Sequence, residues 1–319
     1  MRKKEIMPMV VVYRDVFKDI NKAMSIIKNL EKEENKNILP WESWKDFGII
    51  SHLYPSKNLP INKLKNSLNN DQKIQFENLT WLCDNIFNSF YECYDDYIKN
   101  YVNSDFIKNL NEKSKRDPFS IPPFGGYVNN WDYKNNLEEK ENQWMETTID
   151  LIKYNSDYDN TYILQYHVDD GKGKEDPGPH SILSCLLYFN DDYQNGKISF
   201  LNEFDDKIIN YKPKAGDITI LPSGKPFFHA AFPAYNNNKY FARQFLTWNY
   251  SGSKQWHENN NKFGKKAWKE IQKYIRKIEE EFGVYTKDVI FPGEIYKNMG
   301  RHNGKPFIAN EVVEFDNEW

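Results

Sequence analysis

The central part of the chain alternates short apolar runs with polar, turn-rich connections. Each run is rich in β-branched or aromatic residues, and clusters of Gly, Pro, Asn and Asp separate one run from the next. Short strands with frequent turns are typical of antiparallel β-sandwiches and barrels. The strand-like runs are TIDLIKY, TYILQYH, SILSCLLYF, KISFLN, KIINYK, GDITILP, PFFHAAF and KYFARQFLTW, all between residues 148 and 248.

Helical periodicity flanks this β-rich region on both sides. Apolar residues recur every three or four positions over residues 15–34, after a strand-like run at 9–13, and again over 71–100. The second helix has an aliphatic and aromatic stripe that we expect to pack on a sheet. The stretch between the two helices, up to about Pro60, is interpreted as irregular. Residues 265–282 predict a further helix near the C-terminus.

These patterns predict an α+β protein with three parts. Residues 1–125 hold an N-terminal strand and supporting helices, and residues 126–252 hold the β core. Residues 253–319 form a C-terminal helix and an irregular extension. Any chemistry should therefore lie in the β core.

Composition and charge limit the classes of protein to which this chain can belong. The 319 residues are 39% hydrophobic and 28% charged, which is typical of a globular chain, and the net charge of −3 gives no reason to expect nucleic acid or an anionic membrane as partner. No apolar run is long enough to span a membrane or to form a signal peptide. The three cysteines form no CxxC pair, which argues against a zinc knuckle or a disulfide framework. We expect a cytoplasmic protein.

The pair His167 and Asp169 ends one strand-like run. Residues i and i+2 of a strand face the same side, so the imidazole and the carboxylate should point together. A histidine and a carboxylate are two members of the facial triad that holds non-haem Fe(II) and leaves coordination positions open. An H-x-D motif arises easily by chance, and a third ligand is needed to support this interpretation.

The second half of the β-rich region supplies that ligand and two cations. His229 lies in a later strand, sixty residues beyond Asp169, and ten residues after it Lys239 opens the run KYFARQFLTW. On that run Lys239 and Arg243 share a face with two phenylalanines, so both cations should point toward an apolar interior. A buried cation requires an anionic partner.

Taken in order, these motifs resemble the catalytic core of Fe(II)- and 2-oxoglutarate-dependent dioxygenases of the prolyl 4-hydroxylase-like group. The family pattern reads here as His167-Val168-Asp169, Tyr188-Phe189-Asn190, NGKISF, KPKAGD, His229 and Lys239. The resemblance covers less than a third of the chain. It implies a double-stranded β-helix, or jelly roll, flanked by N-terminal and C-terminal helices. Asn195-Gly196 stands where many relatives have paired glycines, and Lys239 stands where many have arginine.

The resemblance also implies roles for individual residues. His167, Asp169 and His229 would bind Fe(II), and Lys239 and Tyr188 would bind the distal carboxylate of 2-oxoglutarate. Tyr154 occupies a position where the family often has a second tyrosine near the co-substrate, and Arg243 competes with Lys239 as the anchor. The implied reaction uses O₂ and 2-oxoglutarate, with ascorbate as reductant, and releases succinate and CO₂ while a side chain is hydroxylated. A peptide or protein substrate, with peptidyl proline first, is expected.

Two other classes of function stay open at this point. One is a jelly-roll structural or binding protein without turnover, and the other is a different metal-dependent jelly-roll enzyme such as a cupin-type isomerase. The cupin alternative usually needs more histidines with other spacings. Other polar residues have plainer interpretations: Asp217 as a turn residue, His52 as a surface residue and Cys185 as a small buried thiol.

Overall fold

A computed structural model describes residues 1–53, 68–102, 144–146, 149–156, 158, 162–169, 180–202, 205–223, 227–248 and 309–319. The strands are β1 Arg2–Met7, β2 Val10–Arg14, β3 Glu42–Trp44, β4 Gly48–Leu53, β5 Trp144–Glu146, β6 Ile149–Tyr154, β7 Leu164–His167, β8 His180–Tyr188, β9 Gln194–Asn195, β10 Ile198–Asn202, β11 Lys207–Tyr211, β12 Ile218–Pro222, β13 His229–Ala231, β14 Ala234–Tyr235, β15 Lys239–Trp248 and β16 Glu311–Glu314. The helices are α1 Ile20–Leu30 and α2 Asn70–Tyr97, which continues as a π-helical turn at Ile98–Val102, with short 3₁₀ helices at Glu33–Asn35 and Lys45–Phe47.

Two facing sheets form the centre of the fold. Within the described ranges, the larger sheet has the order β1-β2-β12-β8-β15-β6-β4-β3, with β5 also paired to β15, and the smaller has the order β16-β11-β10-β13-β7. Along the chain the core strands visit the larger and smaller sheets in the sequence β6, β7, β8, β10, β11, β12, β13 and β15. This winding is that of a double-stranded β-helix and confirms the predicted fold class. Each of the eight strand-like runs in the sequence corresponds to one of these strands.

Period-two alternation divides the larger sheet into an inner and an outer face. Tyr188 and Phe241 belong to the apolar cluster between the sheets, whereas their strand neighbours Leu187 and Tyr240 belong to the cluster beneath the helices. The stripe on α2 packs into this outer cluster, as the sequence predicts. Cys185 is fully buried there, which confirms its plain interpretation.

The N-terminal region differs from the prediction in three ways: an unpredicted strand, β1, precedes β2, the first helix is shorter than predicted, and two further strands follow it. The first helix begins at Ile20 rather than at residue 15, because Asp15 adopts a left-handed backbone (φ 62°) that turns the chain after β2. The region interpreted as irregular contains β3 and β4, which extend the larger sheet beyond β6. β3 pairs with β4, and β4 pairs with β6, a strand about one hundred residues away, so no local pattern predicts the place of this hairpin in the sheet.

A buried ion pair ties β2 to the turn before β12. Arg14 Nε lies 2.6 Å from Asp217 Oδ1, and the two side chains are 8% and 1% exposed. Tyr211 Oη also donates to Asp217, at 2.5 Å, and the main-chain N–H of Lys214 donates at 2.9 Å. Asp217, which the sequence predicts to be a turn residue, therefore also joins β2 to the β core.

Some predictions fall outside the described residues. They include the helix at 265–282 and the domain boundaries near residues 125 and 252, which stay predictions. Among the described parts of the chain, no helix is long and apolar enough to cross a membrane.

Candidate metal centre and adjoining pocket

Strand register brings the three predicted ligands together. His167 ends β7 and His229 begins β13, and these two residues lie directly opposite each other in the antiparallel pair. Asp169 follows two residues after His167, just beyond the strand. One potential ligand atom from each of the three residues lies within 4.8 Å of the other two. Sixty residues of chain thus separate groups that the smaller sheet places side by side.

The orientation of both imidazoles suits metal binding. Nδ1 of His167 lies 2.6 Å from the carbonyl of Gln165, and Nδ1 of His229 lies 3.2 Å from the carbonyl of Phe227. A carbonyl accepts only, so each Nδ1 carries the proton and each Nε2 keeps its lone pair. Both Nε2 atoms face the carboxylate of Asp169, at 3.6 Å from one of its oxygens.

Neighbouring charges keep Asp169 deprotonated and burial keeps His229 neutral, which are the forms that bind a metal ion. Burial by itself would raise the pKa of Asp169, but the imidazoles of His229 and His167 lower that pKa below its ordinary value. Burial lowers the pKa of His229 to about 4, although Asp169 opposes the shift. At neutral pH the site therefore presents a carboxylate and a neutral, buried His229.

A hydroxyl pair that sequence reasoning missed supports the carboxylate. Ser184 Oγ donates to Asp169 Oδ2 and lies 2.7 Å from Ser223 Oγ, and both serines are fully buried. The sequence signal that could have revealed this pair is the position of Ser184, a polar residue on the inward face of a largely apolar strand. Such outer contacts orient a metal-binding carboxylate.

The donor set fits a ferrous ion. Two imidazole nitrogens and one carboxylate oxygen on one side of the ion are the 2-His-1-carboxylate arrangement, which leaves the other coordination positions open. A pocket adjoins the cluster, and the three candidate ligands lie in its wall. The further lining residues are Tyr154, Leu164, Leu186, Tyr188, Ile198, Ala231, Lys239, Phe241 and Arg243.

Lys239 is a buried cation in this pocket. Its side chain is enclosed, with the residue 1% exposed, and Nζ donates to the main-chain carbonyl of Gly196 at 2.5 Å. The ring centroids of Tyr188 and Phe241 lie 5.1 and 5.9 Å from Nζ. No salt bridge joins Lys239 to an acidic residue in the described part of the chain. Burial lowers its pKa to about 7, with a smaller contribution from Lys212.

Arg243, the other candidate for binding the distal carboxylate of 2-oxoglutarate, already forms an ion pair with Asp150. Its Nη2 lies 2.7 Å from Asp150 Oδ2, and His52 Nδ1 lies 2.9 Å from the other oxygen of the same carboxylate. These three residues are cross-strand neighbours on β15, β6 and β4. The guanidinium also lies 5.3 Å from the Trp44 ring centroid. Of the two predicted anchors, Arg243 is the one that pairs with a carboxylate of the described residues, and Lys239 is not.

Both predicted tyrosines lie in the wall of the pocket. Tyr188 is fully buried, and its hydroxyl has no hydrogen-bond partner of good geometry among the described residues. Tyr154 is 3% exposed and packs edge-on against Phe241, with ring centroids 5.0 Å apart. Burial raises the pKa of each phenol above its ordinary value, so both stay protonated and can donate.

The segment of the chain that contains this site matches a family of known proteins. Residues 152–248 match the family described as the 2OG-Fe(II) oxygenase superfamily. None of the curated proteins matches the chain. The match spans every predicted ligand and pocket residue from Tyr154 to Arg243. It confirms the predicted resemblance for this segment, and with it an oxidoreductase of the dioxygenase type.

The solved structures that the chain matches include prolyl hydroxylases, at low identity and with low TM-scores. A prolyl hydroxylase from Trichoplax adhaerens, in complex with a hypoxia inducible factor peptide fragment, has 12% identity and a TM-score of 0.43, covering 77% of this chain and 86% of its own. The viral collagen prolyl hydroxylase of Paramecium Bursaria Chlorella virus-1 has 11% identity and a TM-score of 0.37, covering 75% and 95%. A Pseudomonas putida prolyl-4-hydroxylase has 10% identity and a TM-score of 0.36, covering 75% and 91%.

Proposed function

We propose that the protein hydroxylates a side chain in a reaction that depends on Fe(II) and 2-oxoglutarate and releases succinate and CO₂. The observation that carries this proposal is the meeting of three ligand atoms within 4.8 Å in the wall of a pocket. The same pocket contains the buried Lys239, which has no carboxylate partner among the described residues. Ferrous iron in such a site supplies O₂ activation coupled to oxidative decarboxylation of the keto acid.

The residues of the pocket would divide into metal ligands, a group that binds the distal carboxylate, and an apolar wall. His167, Asp169 and His229 would hold the metal, with Ser184 orienting the carboxylate. Lys239 would bind the distal carboxylate of 2-oxoglutarate by a charge-assisted hydrogen bond. The apolar walls of the pocket exclude water from the reacting groups, which strengthens these polar interactions.

We also propose a class of substrate, a reductant and a cellular location. We propose a peptide or protein substrate, with peptidyl proline first, because the motif order and the lysine anchor resemble those of collagen-type prolyl 4-hydroxylases. Ascorbate is proposed as the reductant on the same resemblance. A cytoplasmic location is consistent with the three cysteines, which are buried free thiols.

One experiment tests the function directly. Under anaerobic conditions, Fe(II) followed by 2-oxoglutarate should produce the weak visible charge-transfer band of a chelated keto acid. Admitting O₂ should then yield succinate, slowly without substrate and faster when the right substrate is present. A protein that binds neither Fe(II) nor 2-oxoglutarate would contradict the proposal and favour a non-catalytic role.

Replacing Lys239 with methionine is expected to weaken 2-oxoglutarate binding by about 10- to 100-fold, because a hydrogen bond to a charged group is worth roughly 1.5–3 kcal/mol. Fe(II) affinity should change little, because Lys239 is not among the clustered ligand residues. The matched variant Arg243→Met should have the smaller effect, since Asp150 already pairs with this guanidinium. Anaerobic titration of the iron-loaded variants measures both affinities. A larger loss in Arg243→Met would show that the anchor is wrongly assigned.

The depressed pKa of Lys239 predicts a pH dependence of co-substrate binding. Above about pH 7 the amine of the ligand-free protein is mostly neutral, whereas a bound carboxylate favours the ammonium form. Affinity should therefore fall as pH rises through 7, by up to about tenfold per pH unit, and this contribution should level off at lower pH. Titrations between pH 7 and 9 at saturating Fe(II) measure the slope. In Lys239→Arg the guanidinium stays protonated, and the slope should disappear.

A further inference from the structure

A second tyrosine, which no sequence motif singled out, lies beside Lys239, although it is not one of the residues that line the pocket. Tyr193 lies between β8 and β9 and is 2% exposed. Its ring centroid lies 5.6 Å from Lys239 Nζ, close to the 5.1 Å that separates the same nitrogen from the ring of Tyr188. The two tyrosine rings thus both contact the ammonium group.

The turn that follows locks Tyr193 against Lys239. Gly196 has a positive φ of 65°, and a Cβ added there would lie 2.4 Å from Tyr193 Cε2. The carbonyl of the same glycine accepts the hydrogen bond from Lys239 Nζ. Lys212 fixes Tyr193 from the outside, because its Nζ donates to the main-chain carbonyl of Tyr193 at 2.9 Å. The position of the Tyr193 ring is therefore determined on several sides.

The hydroxyl of Tyr193 has donor capacity that the described residues do not use. It is buried and has no hydrogen-bond partner in those parts of the chain, and the hydroxyl of Tyr188 has none of good geometry there, although Thr219 lies close to it. Buried hydroxyls without partners are rare in folded proteins. Asp217, a buried carboxylate of the same barrel, is already paired with Arg14 and Tyr211.

Three groups at or around Lys239 Nζ can thus donate to an anion. They are the hydroxyls of Tyr188 and Tyr193 and the ammonium of Lys239, for whose three protons the described residues supply one acceptor. A carboxylate offers about four acceptor positions and can satisfy all three donors. We propose that Tyr193 is a further donor to the distal carboxylate of 2-oxoglutarate, beside Lys239 and Tyr188. This inference rests on the function proposed above.

The variant Tyr193→Phe tests this role because it removes the hydroxyl and keeps the ring. In anaerobic titrations of the iron-loaded protein, its dissociation constant for 2-oxoglutarate should rise about tenfold or more. Oxalate, which chelates a metal but has no distal carboxylate, should bind with unchanged affinity. The melting temperature of the ligand-free variant should be unchanged or higher, since an unpartnered buried hydroxyl is removed. The matched control is Tyr235→Phe, because Tyr235 is 39% exposed.

The outcomes separate this inference from the function on which it rests. If the original protein binds 2-oxoglutarate and Tyr193→Phe binds it equally well, the donor role of Tyr193 is excluded and the proposed function stands. If the variant loses affinity for oxalate as well, or melts at a lower temperature, Tyr193 has a structural role instead. If the original protein does not bind 2-oxoglutarate in the presence of Fe(II), both proposals are overturned.

Discussion

Replacing Asp169 with alanine is expected to abolish Fe(II)-dependent 2-oxoglutarate binding and succinate formation. The carboxylate is the one anionic group of the cluster, with each of its oxygens 3.6 Å from one imidazole Nε2. Without it, two imidazoles and no anionic ligand are left to hold a dication. Since loss of an outer-shell partner already costs about 10- to 100-fold in metal affinity, loss of this ligand should cost more.

Anaerobic Fe(II) titration followed by the charge-transfer band measures the effect of Asp169→Ala. The matched control is Asp46→Ala, because Asp46 is an exposed carboxylate in the short 3₁₀ helix Lys45–Phe47. The control should bind iron and co-substrate like the original protein. If Asp169→Ala retained the band at similar Fe(II) concentrations, the metal would have to lie elsewhere, and the assignment of His167 and His229 would fail with it.

Replacing Arg14 with methionine is expected to lower the free energy of unfolding by about 3–5 kcal/mol, because Asp217 would be left as a buried charge without its cation. The carboxylate is 1% exposed and accepts hydrogen bonds from both Nε and Nη2 of Arg14. Tyr211 and the N–H of Lys214 would still donate to it, but neither carries a positive charge. Chemical denaturation at neutral pH measures the loss.

The ion pair Arg2–Asp15 provides a control of the same chemistry on the surface. Its side chains are 56% and 55% exposed, and solvent screens such pairs, so Arg2→Met should lower the free energy of unfolding far less than Arg14→Met does. Arg2 and Arg14 both also donate to the main-chain carbonyl of Trp319, and Arg14 donates in addition to two oxygens of Asn317. Equal losses in the two variants would mean that burial of the Arg14–Asp217 pair does not govern its contribution.

The metal site could be predicted in part because two of its ligands are neighbours along the chain. The i, i+2 spacing of His167 and Asp169 at the end of a strand gives them a common direction. The partnership of His229 with them depends on the antiparallel register of β13 against β7, which no local pattern contains. It entered the prediction through the order of several motifs.

The choice between the two cations of β15 shows the limit of strand periodicity. Lys239 and Arg243 lie on the same face, and the sequence alone left both as anchors. Their difference comes from the neighbouring strand: Asp150 lies opposite Arg243 and pairs with it, whereas Tyr154 lies opposite Lys239 and offers no charge. Tyr193 escaped notice for a similar reason, since only the folded turn at Gly196 brings its ring to Lys239.

By itself, the sequence determined the eight core strands, the helix that covers the sheet and the identity of the candidate ligands. Those features depend on local alternation, local turn chemistry and motif order. Only the tertiary structure decided that β1–β4 extend the larger sheet, that Asp217 pairs with Arg14, and that Asp150 pairs with Arg243 rather than with Lys239. The reason is that strand pairing and the burial of charge are properties of contacts between distant segments, and their partners are fixed only when the two sheets close on each other.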